Sequence, residues 1–155
     1  MISLVQRVLE AQVQICDEHD TWGAIASIEQ GLLVLVGIEK GDGSDQADAL
    51  AQRLVNFRLF DDDQGRMNLD VGAVDGALLL VSQFTLAADT RKGRRPGFST
   101  AASPEEALPL FDHFVQAVRT LHPAVQTGRF GEHMRVSLVN DGPVTFRLDS
   151  PPDRS

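Results

Sequence analysis

The stretch Met134-Arg-Val-Ser-Leu-Val-Asn-Asp-Gly-Pro-Val-Thr-Phe-Arg-Leu-Asp149 holds two alternating segments around a four-residue break. Met134, Val136 and Leu138 fall on one face of the first segment. Val144, Phe146 and Leu148 fall on one face of the second, with the period of two expected of strands. Between them lies Asn140-Asp141-Gly142-Pro143. Each of these residue types favours a turn for its own steric reason, so one reading is a hairpin. A second reading starts from the Gly-Pro bond, whose cis form lies only ~0.5–1 kcal/mol above trans. A cis bond would aim the neighbouring carbonyls in directions closed to a regular strand. Glycine beside it leaves the main chain bare, so another molecule can approach closely.

Working outward, the rest of the chain reads as short strands and two helices. Residues 2–9 and 11–16 alternate as two strands, and Thr21 to Ile28 as another. Leu32-Leu-Val-Leu-Val-Gly-Ile38 is a continuous apolar run, which suits a strand buried on both faces. Ser44 resembles an N-cap, and Ala47, Leu50, Ala51, Leu54 and Phe57 follow at helical spacing, predicting a helix over 45–57. Asp61-Asp-Asp-Gln-Gly65 suggests a calcium loop, but its glycine arrives a position early and Gly72 stands where a bidentate glutamate is needed. A tight turn or hairpin fits better. Residues 77–86 read as a central strand. Ser103-Pro104-Glu105-Glu106 is a capping box with proline at the first helical position. An apolar stripe from Ala107 to Leu121 follows, with a kink or restart expected at Pro109. Val125 to Phe130 reads as one more strand. Strands outnumber helices and strict βαβ alternation is absent. The expected fold is therefore α+β, with a mixed, largely antiparallel, barrel-like sheet and two main helices.

Composition sets limits on function. A chain of 155 residues suits one domain, expected over 1–150, with a frayed tail over 151–155. Apolar residues at 43% and charged residues at 23% are ordinary for a globular protein. The longest apolar run is too short to cross a bilayer, and no signal-peptide pattern opens the chain, so no membrane partner is expected. A single cysteine, Cys16, suits a reducing, cytoplasmic setting. The net charge of −8 argues against wide contact with nucleic acid. Its distribution is more telling. Arg91, Lys92, Arg94 and Arg95 gather four positive charges within five residues, enough to touch one end of an RNA but not to coat a duplex.

Ordinary catalytic machinery is missing. No Walker loop, nucleophile elbow or metal-ligand spacing is present, and Gly41-Asp-Gly43 lacks the third glycine of a dinucleotide fingerprint. No metal or cofactor is expected. An enzyme built this way would rely on backbone groups, hydroxyls or its own substrate. The most concentrated polar group in an apolar segment is Ser82-Gln83-Phe84-Thr85. Left without partners, a buried hydroxyl or amide costs on the order of 1–3 kcal/mol. These residues therefore mark either a strand end emerging into solvent or one opening into a pocket.

Val81-Ser-Gln-Phe-Thr-Leu86, Ala88-Asp-Thr-Arg-Lys-Gly-Arg-Arg-Pro96 and Ser137-Leu-Val-Asn-Asp-Gly-Pro-Val-Thr145 resemble the signatures of the D-aminoacyl-tRNA deacylase family. Gln6-Arg7-Val8, Gly31 to Gly37 and Arg66-Met-Asn-Leu69 are similar to it as well, so the resemblance spans residues 1–150. Ala87, where an aromatic residue is expected, and Gly97, where serine is common, depart from the pattern at the pocket rim. The resemblance implies a homodimer with its active site at the subunit interface, hydrolysing the ester between a D-amino acid, or glycine mischarged on alanine tRNA, and the 3′ end of tRNA. It implies a cis Gly142-Pro143 gate inserted into the partner's pocket to reject L-amino acids. It implies catalysis by main-chain groups of Ser82, Gln83, Phe84 and Thr85, with the Thr85 hydroxyl as a positioning group or a nucleophile. Arg7 would hold the Gly-Pro carbonyls, or be a surface arginine of an edge strand. Met134 would line the pocket or belong to the core. The basic loop Arg91, Lys92, Arg94 and Arg95 would contact the acceptor end. Two alternatives stay open: a related editing deacylase with a trans Gly-Pro bond acting on an L-aminoacyl-tRNA, and a non-catalytic nucleic-acid-binding module.

Overall fold

A computed structural model describes residues 1–151; Pro152 to Ser155 of the expected tail lie outside the described residues. The elements run β1 (Ile2–Cys16), β2 (Trp22–Ile28), β3 (Gly31–Gly37), α1 (Ser44–Asn56), β4 (Phe60–Asp61), β5 (Met67–Leu69) and β6 (Ala77–Ser82). A short 3-10 turn (Phe84–Ala87), α2 (Pro104–Leu121), β7 (Val125–Thr127) and β8 (Met134–Asp149) complete the chain. The main sheet has the order β2-β1-β3-β6-β7, with β8 added along β1.

The two opening segments form one strand. The register against β8 shifts between Val8 and Glu10, and this irregularity replaces the expected break. It also changes the face that β1 buries: Val5 joins the core under the helices, whereas Val8, Ala11 and Val13 join a second core. An added residue in a strand has this effect, because side-chain direction alternates with period two. All three partners of β1 are antiparallel, but β3–β6 and β6–β7 are parallel. The β6-α2-β7 segment is thus a βαβ unit, which the absence of strict alternation had hidden. The mixed sheet and the two helices agree with the expected fold class.

β3 and β6 are buried on both faces, as their unbroken apolar runs predict. Leu32, Val34, Val36, Leu78 and Leu80 face the helices, packing with Leu50 and Leu54 of α1 and Phe114 and Val118 of α2. Leu33, Leu79 and Val81 face the opposite way, toward Val13, Ala26 and Ile28. The sheet curls around this second core until its two end strands meet: the Ser27 N–H donates to the Gln126 side-chain oxygen at 2.9 Å. The result is nearly a barrel. Gly31 is needed where β3 and β6 begin, since a Cβ there would lie 1.9 Å from the Ala77 carbonyl oxygen.

Three boundaries differ from expectation. Gly43, not Ser44, caps α1, and the Gln46 side chain reaches back to accept the Gly43 N–H at 2.8 Å. α2 is continuous through Pro109. That proline sits early in the helix, where one missing N–H interrupts few backbone bonds. β7 ends at Thr127 instead of reaching Phe130. The acidic loop is a hairpin, as read: β4 pairs with β5, and the Asp62 carboxylate accepts the N–H groups of Gln64 and Arg66, which hold its pKa below the usual value. No helix among the described residues is long and apolar enough to cross a membrane.

Phe114 is fully buried between the helices and the sheet. Phe114→Ala should lower unfolding free energy by about 3–5 kcal/mol in a urea titration. Leu121→Ala, at a partly exposed position of the same helix, should cost less than half as much. Equal losses would mean that the helix face is wrongly assigned.

Candidate active site

β6 stops at Ser82, four residues short of the strand read from the sequence. The Gln83 N–H still donates to the Val36 carbonyl at 2.7 Å, and the chain then folds into the 3-10 turn. Gly37 allows this: a Cβ there would lie 2.9 Å from the Leu86 Cβ and 3.1 Å from the Gln83 carbonyl oxygen. The turn therefore lies over the end of β3. Ser82 to Thr85 occupy the carboxyl ends of the parallel strands, a common place for ligands in parallel sheets.

The first N–H groups of a helical turn lack intrahelical acceptors. Those of Phe84 and Thr85 have no acceptor among the described residues, whereas the Leu86 N–H already donates to Gln83 at 3.2 Å. Phe84 and Thr85 are both exposed. The Gln83 amide donates to the Thr85 hydroxyl oxygen at 2.5 Å. With its oxygen accepting, the hydroxyl keeps its own proton for another partner. Two free donors and one oriented hydroxyl thus share a single turn. Among the described residues, no carboxylate or imidazole is bonded to that hydroxyl. Phe84 packs against Phe98 with ring centroids 5.2 Å apart. Ala87 is buried at the end of the turn, with its carbonyl accepting from the Thr100 hydroxyl. Met134 reaches the same end of the sheet from β8. A Cβ on Gly128 would lie 2.8 Å from the Met134 sulfur and 3.4 Å from Val81. Met134 also packs on the second core, in line with its reading as a core residue.

The Asn140-to-Val144 break is not a hairpin. Asn140 pairs with Val8 and Thr145 with Gln6, so both flanks run antiparallel along the same strand. The chain keeps its direction and bulges, with residues 141–144 standing opposite Arg7 alone. Gly142-Pro143 is cis, Gly142 has φ +137, and both residues are exposed. The Asn140 side chain spans the bulge, accepting the Val144 N–H at 2.7 Å and donating to the Thr145 hydroxyl at 3.1 Å. The sequence presented Asn140 only as a turn former.

Arg7 is 7% exposed, which excludes a surface arginine. It donates to the Leu59 carbonyl at 2.9 Å and to the Asp141 carbonyl at 3.0 Å. The Asp61 and Asp141 carboxylates each lie 3.5 Å away. Arg7 therefore braces the bulge through the carbonyl preceding Gly142, not through the Gly-Pro carbonyls themselves. A Cβ on Gly142 would come within 3.4 Å of the guanidinium and 2.6 Å of a Val144 methyl.

The basic loop is closed at its base by paired hydrogen bonds between Asp89 and Gly97, at 2.7 and 3.0 Å. Gly97 has room for a serine, because a Cβ would meet only ordinary contacts there. Arg91 is engaged within the chain: its guanidinium grips the Asp89 carboxylate at 2.9 and 2.8 Å. That guanidinium, aided by the Arg91 N–H, holds the Asp89 carboxyl well below the usual carboxylate range. Lys92, Arg94 and Arg95 are exposed and carry no ion pair among the described residues. Of the four cations read from the sequence, three are free to meet a ligand. The Asp89-Thr-Arg91 spacing was the available signal, since an Asp side chain often bonds the N–H two residues on. Among the described residues, no group of three or more His, Cys, Asp or Glu is placed to hold a metal ion.

A family model described as D-Tyr-tRNA(Tyr) deacylase matches residues 4–149. A D-aminoacyl-tRNA deacylase of Dichelobacter nodosus is 57% identical over 148 residues, spanning 96% of this chain and 99% of that protein. Another, of Methylococcus capsulatus, is 54% identical over 154 residues, spanning 99% and 97%. Among solved structures, a c-Myc DNA Unwinding Element Binding Protein superposes with a TM-score of 0.89 at 34% identity, over 97% of this chain and 99% of that one. A probable eukaryotic D-amino acid tRNA deacylase shares the fold, with a TM-score of 0.81 at 14% identity over 96% and 98%.

Arg7→Met would leave two carbonyls without their charged donor, and stability should fall by about 2–4 kcal/mol in urea. Arg7→Lys should recover little, because one ammonium cannot reproduce the fork that reaches both carbonyls. An unchanged urea midpoint in both variants would remove Arg7 as the brace.

Proposed function

This chain belongs to the D-aminoacyl-tRNA deacylase family and is an aminoacyl-tRNA hydrolase, and from that premise we propose that it proofreads chirality as a cytoplasmic homodimer. The bond cleaved is the ester between a D-amino acid and the terminal ribose of tRNA. Water adds to the ester carbonyl, the C–O bond to the ribose breaks, and the ribose oxygen leaves with a proton. The products are a free D-amino acid and tRNA.

The observation that carries this reading is the pair of unbonded N–H groups at Phe84 and Thr85. Aimed at the carbonyl oxygen as it gains charge, such donors can be worth ~3–4 kcal/mol of barrier. The Thr85 hydroxyl, oriented by Gln83, positions the substrate. With no base bonded to that hydroxyl, it is a poor nucleophile. The 2′-OH of the terminal ribose assists the water. Lys92, Arg94 and Arg95 meet phosphates of the acceptor end.

Selection rests on main chain. The Gly142 and Pro143 carbonyls bind the α-amino group, and the bare backbone closes the direction that an L side chain would take. Such exclusion needs no recognition of the side chain. Glycine has nothing to exclude, so glycine mischarged on alanine tRNA enters and is cleared.

Two observations support a gate supplied by a second copy. Arg7, opposite the gate, pairs with Leu32, which pairs with Leu78, whereas the site begins at Ser82. Four residues along the sheet is ~13 Å, and three strand spacings add ~14 Å across it. On one chain, therefore, the gate and Thr85 lie well apart along the sheet. Meanwhile, among the described residues, β8 pairs only with β1, and Val136, Val139 and Phe146 on β8 with Leu9 beside it are more than a third exposed. A long unpaired edge with apolar side chains is a natural contact for a second sheet.

D-Tyr-tRNA and L-Tyr-tRNA assayed side by side should give hydrolysis of the D form alone, and Gly-tRNA should also be cleaved. Hydrolysis of the L form would make this an editing deacylase with a wider gate. Hydrolysis of neither would favour a binding module. Thr85→Ala should slow turnover without abolishing it, and a covalent ester trapped on Thr85 would overturn the positioning role.

A further inference from the structure

A groove of about 320 Å³ runs between α2 and the segment that follows β7. Its helix wall carries Leu108, Asp112, Gln116 and Arg119, and its other wall is Thr127 to Phe130. From Leu108 to Arg119 the helix advances ~16 Å. Resting on the reading of the site as an aminoacyl-tRNA hydrolase, we propose that this groove is a second RNA track, in which Arg119 and Arg129 hold phosphates of the single-stranded acceptor end.

Three observations carry the proposal. The chain is acidic, with a net charge of −8. Yet Arg119 and Arg129, both exposed, line one groove, and their guanidinium groups make no ion pair or hydrogen bond among the described residues. Asp112 lines the same groove and pairs with neither. Two arginines held apart from a nearby carboxylate leave the groove with net positive charge, a local exception on this surface. The groove is also continuous with the catalytic end of the sheet. Gly128, part of its wall, donates to the Leu80 carbonyl at 2.9 Å and packs against Val81 and Met134. Val81 directly precedes Ser82. A strand of RNA whose terminal ester lies at Phe84 and Thr85 therefore meets the mouth of this groove next. Finally, the groove is separate from the basic loop. The loop precedes the first turn of α2, whereas Arg119 lies in its last. Arg119 lies three residues before His122, whose ring bonds the Gly76 carbonyl just before β6, so the groove leads from the catalytic end of the sheet toward the other end of α2. The loop therefore need not carry the RNA alone.

The track differs from the catalytic turn in what it recognises. Guanidinium groups bind phosphate, so a substrate lacking phosphates should not sense them. The test compares D-Tyr-tRNA with 3′-(D-tyrosyl)adenosine, which keeps the ester and ribose but has no phosphate. For Arg119→Glu/Arg129→Glu, KM for D-Tyr-tRNA at low salt should rise about tenfold or more, with kcat unchanged, and the slope of log affinity against log salt should become shallower by ~1.4, or ~0.7 per single-strand phosphate. Turnover of the adenosine ester should be unaltered. Asp112→Asn should act in the opposite sense, lowering KM for the tRNA. Unchanged KM and slope in the double variant would overturn the track, as would an equal loss on the phosphate-free ester. Binding of uncharged tRNA to wild-type protein and the double variant is measured in parallel. If the wild-type protein cleaves neither ester, the hydrolase reading of this site fails, while the binding difference still decides the groove.

Discussion

Both edges of β1 are paired along nearly its whole length, with β3 and then β2 on one side and β8 on the other. A buried strand must satisfy its N–H and C=O groups, so any irregularity on β1 has to be matched by its neighbours. At Arg7 the match fails on purpose. β8 pushes four residues outward opposite one, and the buried guanidinium bonds the Asp141 carbonyl that the bulge frees. The same guanidinium reaches Leu59, tying the approach to the β4–β5 hairpin to the sheet. Without that charged brace, the exposed Gly142-Pro143 would be attached to a flexible edge instead of a fixed one.

The sheet divides its work between its halves. The antiparallel half around β1 and β8 presents bare main chain on a braced bulge. The parallel half, β3-β6-β7, ends in the turn that leaves the Phe84 and Thr85 N–H groups unpaired. Parallel pairing requires crossovers, and α1 and α2 supply them while covering one face of the sheet. Among the described residues, no side chain of these helices is hydrogen-bonded to that turn. Their role is to bury Leu78 and Leu80, which fixes β6 and hence the position of the turn at its end.

Patterns that depend on near neighbours were legible in the sequence. The two-faced burial of β3 and β6, the stripe of α2 and its Ser103 capping box all follow from spacing alone. The features that the sequence hid depend on distant partners. The turn at Ser82 needs Gly37, and the burial of Arg7 needs Leu59 and Asp141. Asn140 to Pro143 satisfy local turn chemistry whether the chain reverses or bulges, and only the shared partner β1 separates the two. The break in alternation at Leu9 and Glu10 looked like a loop for the same reason, because a strand that switches faces loses its period while keeping its hydrogen bonds. The pairing of Arg91 with Asp89 was local and could have been found.

A site made of backbone donors, as proposed, would tolerate Ala87 where the family resemblance leads one to expect an aromatic residue. Side-chain recognition would tie specificity to the residues lining the pocket. Here the donors belong to the main chain, and their direction is set by Gly37 beneath the turn and by the Gln83–Val36 hydrogen bond. Ala87 lies buried at the far end of the turn, with its carbonyl bonded by Thr100, so its side chain changes how the turn packs and not where the Phe84 and Thr85 donors point. The same logic applies to the proposed gate. In the proposed homodimer, a two-fold pairing of identical chains would present each bulge to the other chain in the same way, so one braced stretch of main chain would serve both sites, and the chemistry of the excluded side chain would never enter.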